Sequence, residues 1–236
     1  MPGTELAALL DRHRQLLDRE TEAARLAAER NNTKIYCGKG CGNCCTLAVN
    51  CSFPEAAAIA AGLSEEQRQQ LAAKIPLLQQ LSRNSESLKE FLRGFRKRIG
   101  ACPFLDIREQ SCTIYPLRPL SCRALLATRP ADWCGVDFSE LHPLEKQAFM
   151  SALDPDLVAF PTHYLAAPQD LAAELESDLN ATLRETRGTG LTGNMIYLVW
   201  LALEHNLEQV FAGDAAEAQT FLEQPQINLP YLLQIG

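Results

Sequence analysis

The sequence predicts a mainly α fold, a helical scaffold around an irregular cysteine-rich metal-binding knuckle. Three observations predict it. Apolar residues recur at helical spacing over much of the chain. Strand signals are scarce. Eight of the nine cysteines fall between Cys37 and Cys122, in stretches rich in glycine and proline.

Taken in order, Thr4 to Asn31 reads as one long helix. Leu6, Leu9, Leu10, His13, Leu16 and Leu17 share helical spacing, and Ala23 to Ala28 continues it with strong helix formers. A helix packed along the domain is the reading, since its heptads are few and alanine-rich. Ile35 to Cys51 is a cysteine-rich loop, where Gly38, Gly40 and Gly42 let the backbone curl between Cys37, Cys41, Cys44 and Cys45. Ser52-Phe53-Pro54-Glu55 is a capping box that opens a helix to Ala61, stopped by Gly62. Ser64-Glu65-Glu66-Gln67 opens another, interrupted or kinked at Pro76. Ser87 to Ile99 places Leu88, Phe91, Leu92, Phe95 and Ile99 on one face. Gly100 to Trp133 is irregular, with one small strand at Thr113-Ile114-Tyr115. Helices follow over Pro143–Leu153, Gln169–Thr186, Asn194–Phe211 and Ala215–Glu223. Gly188 to Gly193 (GTGLTG) reads as a helix–helix turn, and the tail from Pro225 as extended. The chain divides into an N-terminal helix (1–34), a cysteine-cluster metal-binding domain (35–135) and a C-terminal helical region packed on it (136–236).

At 236 residues, 47% hydrophobic and 22% charged, the chain can build a core without cross-links, so nine cysteines need another purpose. A net charge of −7 argues against nucleic acid as a partner. The basic cluster Arg93, Arg96, Lys97, Arg98 reads as the solvated end of a helix, where positive charge complements the dipole. Met1 to Arg14 contains no apolar signal region. The most apolar run, Met195 to Leu203, is nine residues against the ~20 that span a bilayer. A cytoplasmic location with no membrane association follows as the expectation. Thiols there stay reduced and act as metal ligands or redox groups.

Cys37-x3-Cys41-x2-Cys44-Cys45 is the strongest signal. Such spacing puts successive thiolates on one side of a curled loop, as zinc or an iron–sulfur cluster requires. Soft thiolates exclude magnesium and calcium. Cys102, Cys112 and Cys122 recur at intervals of ten and form a second wall of the same site. These seven cysteines are the candidate metal ligands. They exceed the four that one zinc ion or one [4Fe–4S] cluster needs, so there are two sites or some have another role. Cys51 and Cys134 sit alone, and the readings as buried hydrophobe and as ligand are balanced for each. Of His13, His142, His163 and His205, none is spaced as a C-x-x-H ligand, and His163-Tyr164 is the pair best placed to fold back toward the knuckle.

The Cys37–Cys45 cluster, followed by Cys102-Pro103-Phe104-Leu105 and Cys112-Thr113-Ile114-Tyr115-Pro116-Leu117-Arg118-Pro119-Leu120-Ser121-Cys122-Arg123, resembles the CxxCxxCC cysteine-cluster family. The late signature, C-x-I-Y-x-x-R-P-x-x-C-R, is matched at every named position, and the resemblance covers roughly residues 35 to 135. One departure is the first interval, three residues between Cys37 and Cys41 where the family often has two. The resemblance implies zinc or iron chelation, and a similar module occurs in flagellin lysine methylases. It also places Arg118 and Arg123 beside the metal. Four thiolates leave either metal group at a net −2, which calls for nearby donors.

Three functions are consistent with these residues. The leading one is an iron–sulfur protein ([4Fe–4S]) in an electron-transfer or accessory role. The second is a structural zinc module that mediates contacts with a protein partner. The third is an enzyme related to the methylases, for which the sequence offers no catalytic triad, G-x-G-x-x-G or P-loop.

Overall fold

The computed structural model describes residues 2–38 and 40–236. Its described residues form ten α-helices and five short strands. The mainly α fold expected from the sequence is the fold observed.

Helix α1 (Pro2–Arg30) lies along α7 (Ala166–Arg187). Leu10 and Leu17 of α1, Leu120 and Ala124 of α5 (Leu120–Arg123) and its cap, and Ala172, Leu175 and Leu179 of α7 close one core between them. The larger core surrounds α8 (Met195–Glu204), in which Met195 through Val199 and Leu201 are buried. A helix apolar on every face belongs inside a protein. Helix α2 (Phe53–Ala61) and helix α3 (Glu65–Asn84) pack on it. Among the described residues no helix is long and apolar enough to cross a membrane.

Both capping boxes form. Glu55 accepts from the Ser52 N–H at 2.8 Å, and Ser64 and Gln67 exchange the same reciprocal bonds. The expected interruption at Pro76 does not occur. Helix α3 runs through it, because Ile75 and Leu78 on either side are buried in the main core. Burial there outweighs one lost backbone bond. Helix α4 (Leu88–Gly94) passes into a π-helical turn, Phe95–Ile99, and stops at Gly100 with φ 69°.

Three expectations are corrected. Thr113–Tyr115 is not a strand. The hairpin lies just before it, β2 (Leu105–Asp106) against β3 (Ser111–Cys112), and Tyr115–Leu117 is a 3-10 turn that Pro116 favours. The hairpin loop is set by Asp106, whose Oδ1 accepts the N–H groups of Arg108 (2.8 Å) and Glu109 (3.0 Å). Secondly, GTGLTG is more than a turn. Gly188 caps α7 in the left-handed region at φ 83°, but Leu191–Asn194 is strand β4. It is the centre of an antiparallel sheet ordered β1 (Asn50–Ser52), β4, β5 (Leu233–Ile235). A Cβ on Gly193 would stand 2.3 Å from the Leu232 carbonyl oxygen, so only glycine fits. Thirdly, the Asn194–Phe211 helix is two helices. Asn206, in the left-handed region at φ 46°, separates α8 from α9 (Leu207–Ala212).

Helices α6 (Pro143–Ser151) and α10 (Ala215–Leu222) complete the scaffold. The basic cluster is not merely solvated. Arg93 and Lys97 pair with Asp137, Lys97 also meets Glu140, and Arg96 donates to the Val136 carbonyl. The basic run therefore fastens the 136–140 segment to the end of α4.

Candidate metal centre

Three irregular segments bring the thiols together. The first leaves α1 and is pinned by Tyr36 N–H to Ala127 O (2.9 Å), then curls into a 3-10 turn at Asn43–Thr46 that presents Cys44 and Cys45. The second is tied to it by the Cys102 N–H on the Cys45 carbonyl (2.8 Å), and its hairpin pairs Cys112 with Leu105. The third is the single turn α5, which carries Cys122. Strand β1 follows the first segment, and Met195 N–H on Val49 O (2.8 Å) sets the start of α8 behind it.

The result is a cavity of about 470 Å³. Cys37, Cys41, Cys44, Cys45, Cys102, Cys112 and Cys122 all line it, with Leu47, Phe95, Ile114 and Met195 among its apolar walls. Cys51 and Cys134 do not line it. Cys51 is buried in β1 opposite Gly193. Cys134 is buried in the 3-10 turn Ala131–Gly135. All nine sulfurs are free thiols. Among the described residues no three potential ligands stand at metal-binding distance of a common point.

The electrostatics link the thiols. A charge on Cys44 opposes ionisation of Cys102, Cys112 and Cys122, and of Cys37 and Cys134 as well. Burial pushes Cys102 up to about 12, raises Cys112, and raises Cys122 well above the ordinary thiol value. Cys44 is raised by its hydrogen bond with Cys45 and then by burial. Backbone N–H groups offset part of this, from Phe104 on Cys102 and from Ile114 on Cys112. Burial takes Cys37 to about 11 although the Ala127 N–H donates to its sulfur at 3.1 Å, and charges on Cys134, Cys44 and Cys41 act in the same direction as burial.

The two arginines have different tasks. Arg118 lies on the cavity wall with its guanidinium 3.7 Å over the Tyr115 ring, and its charge favours the thiolates of Cys44, Cys112 and Cys122. Arg118 Nε is buried without a partner, a donor facing a site that would hold negative charge. Arg123 also reaches the wall, but its donors go to the carbonyls of Arg118 (2.9 Å) and Pro116 and to Asp18 (2.7 Å). It clamps the signature loop to α1.

Sequence reasoning missed the groups that hold this loop from below. Glu55, fully buried, takes three hydrogen bonds, from Ser52 N–H (2.8 Å), Ser52 Oγ (2.7 Å) and Leu120 N–H (2.7 Å). Glu176 of α7 accepts from Ser121 N–H at 3.1 Å, and burial beside Glu55 pushes its carboxyl up to about 8. The capping box announced the local role of Glu55. No local pattern announces a partner 65 residues away.

Residues 36–139 match the family CxxCxxCC, described as "Putative zinc- or iron-chelating domain". The match takes in the whole cysteine-bearing segment from Cys37 to Cys134. No curated protein and no solved structure matches the chain. The donor set fits that description. Thiols supply soft ligands, N–H groups point at their sulfurs, and one guanidinium stands ready to balance charge. The CxxCxxCC domain is a metal-binding one, and its match ends before β4, α8 and the C-terminal half of the scaffold.

Proposed function

We propose that the CxxCxxCC domain holds a [4Fe–4S] cluster on Cys44, Cys102, Cys112 and Cys122, in an electron-transfer or accessory role. The observation that carries this is Cys44 with the three thiols Cys102, Cys112 and Cys122 whose ionisation its charge opposes, all on the wall of a 470 Å³ cavity. Four thiolates on such a cluster leave a net −2, and Arg118 is the cation beside three of them. Cys45 touches Cys44 and supplies a spare thiol next to the cluster. The breadth of the cavity favours a cluster over a single ion.

A structural zinc module that mediates protein contacts is the second reading, because the family description names zinc and iron together. Purification without oxygen separates the two. About four irons with matching sulfide, lost in Cys112→Ser and Cys122→Ser, support the cluster. Zinc without iron on the same quartet supports the module. A metal-free chain with reactive thiols refutes both.

A further inference from the structure

The thiols account for only part of the cavity lining. Thr21 on one face of α1, the signature loop, and Asn194 to Ile196 at the start of α8 supply other parts. Among the described residues seven buried side-chain polar atoms have no hydrogen-bond partner. Three of them, Thr21 Oγ1, Arg118 Nε and Asn194 Nδ2, belong to residues that line this one cavity. Leaving a buried polar atom unpaired is costly, so three around one space point to something polar that fills it.

The fold holds the three around the signature loop. Asn194 is 1% exposed, and its Oδ1 accepts the Tyr197 N–H at 3.4 Å as the cap of α8, which makes the NH2 group the unpaired end. It stands opposite Asn50 of β1, whose carbonyl accepts from the Ser121 hydroxyl at 2.7 Å. Thr21 lies one turn on from Asp18. Asp18 holds Arg123 at 2.7 Å, and Arg123 Nε donates to the Arg118 carbonyl at 2.9 Å. Thr21 and Asn194 are thus both tied to the loop that carries Arg118.

The donors select an anion. Of the arginines on the wall, Arg25 pairs with Glu22 and Glu29 and Arg123 with Asp18, while Arg118 has no acidic partner among the described residues. The start of α8 adds the positive end of a helix dipole. One free cation suits a single negative charge. Leu47, Val49, Leu125 and Leu126 give the same cavity an apolar side. Neither Thr21 Oγ1 nor Asn194 Nδ2 bonds a sulfur, so the thiols and their metal do not account for them. A volume of about 470 Å³ falls within the roughly 300–1,000 Å³ of small-molecule sites, and Tyr115 on the lining is 55% exposed, which opens the cavity to solvent.

We propose that this part of the cavity binds a small monocarboxylic acid with an apolar body, its carboxylate on Arg118, Asn194 and Thr21 and its body against the leucines and Val49. No donor in the set is a thiol, so the site goes beyond the metal reading. Arg118 is shared with that reading, so the test reads metal separately.

Hexanoate, octanoate and benzoate are the probes, each with its primary amide as the neutral control. They are titrated calorimetrically into the full chain, purified without oxygen, in metal-loaded and metal-free forms, with zinc and iron per chain counted in each. At least one acid is expected to bind the loaded chain at one equivalent, with its amide about tenfold weaker or worse. Thr21→Val keeps the shape and removes the hydroxyl, and Asn194→Ser keeps a capping oxygen and removes the NH2 group. Each should weaken the acid about fivefold. Arg118→Lys keeps the charge beside the thiolates and loses the Nε donor, so it should hold its metal and bind the acid about tenfold more weakly. No saturable binding by any of the acids overturns the site. An amide that binds as tightly as its acid overturns it too, since the cavity is then merely an apolar space. Binding that loading with metal abolishes puts the acid in the metal's own place and also overturns it, as does unchanged affinity in all three variants. Acid binding with these losses in a chain that takes no metal refutes the cluster and leaves this site standing.

Discussion

Acid should strip the quartet steeply. Cys102 is pushed up to about 12, and Cys44, Cys112 and Cys122 are all raised, so the four thiols keep their protons throughout pH 6 to 8 in the metal-free chain. A metal ion must displace all four. The sign follows directly. A thiol with a raised pKa is neutral at working pH, so affinity grows as pH rises toward that pKa and is lost as pH falls. Four protons per ion give a change of about 10⁴-fold in apparent Kd per pH unit, or about 5 kcal/mol. The assay is competition for Zn²⁺ against a chelator of known affinity at half-unit steps from pH 6 to 7.5. Arg118→Ala serves as a control, because its charge favours three of the four thiolates. That variant should bind about five- to tenfold more weakly at every pH with the slope unchanged. A slope of two protons or fewer would refute the argument, since it would mean that two thiols are already ionised or do not bind.

Three further outcomes follow from the scaffold. Glu176→Gln should raise stability at pH 8.5 and leave it nearly unchanged at pH 5. The folded carboxyl, at about 8, holds its proton more tightly than the unfolded chain, so wild-type stability falls between roughly pH 4.5 and 8 while that of the variant does not, as urea melts at several pH values would show. Glu55→Ala should cost about 3 kcal/mol or more, because three donors lose their acceptor in a buried place, and a change below about 1 kcal/mol in urea unfolding would contradict the geometry. Gly193→Ala should cost about 2 kcal/mol or more by pressing a methyl group into the Leu232 carbonyl, and thermal melting would register it as a drop of several degrees.

Most helices were legible because their signals are local. Capping boxes at Ser52 and Ser64 and the helical run ending at Ile99 reappear within a few residues of where the sequence puts them, although Leu88 and Leu92 of that run are exposed and only Phe91, Phe95 and Ile99 are buried. The seven thiols were legible as a set because no packing argument explains so many in glycine- and proline-rich loops, and they share one cavity wall. What escaped depends on distant partners. Leu-Thr-Gly-Asn has no alternating pattern, and it becomes a central strand only because β1 and β5 flank it. Pro76 looked like a break, but the burial of Ile75 and Leu78 holds the helix through it. Arg123 and Arg118 are equal in the motif. The difference between them comes from Asp18, 105 residues earlier than Arg123, which claims that arginine and not the other.

The thiol-bearing segments cannot hold their own shape, and this bears on where the working unit ends. Helix α5 is one turn long, so its own backbone satisfies few of its N–H groups. Leu120 N–H goes to Glu55 and Ser121 N–H to Glu176, while Ser121 Oγ donates to Asn50 O at 2.7 Å. Glu176 belongs to α7, and Met195 and Ile196 of the cavity wall belong to α8, both beyond residue 139. A fragment of residues 36–139 keeps eight cysteines from Cys37 to Cys122 together with Cys134, yet lacks the strand that pairs with β1 and the helix that fills the core behind it. Such a fragment is expected to show no cooperative unfolding and to bind metal without the four-proton slope of the whole chain. If it instead melts cooperatively and keeps that slope, the cavity wall is built within the matched segment, and the hydrogen bonds from α7 contribute little to holding Cys122.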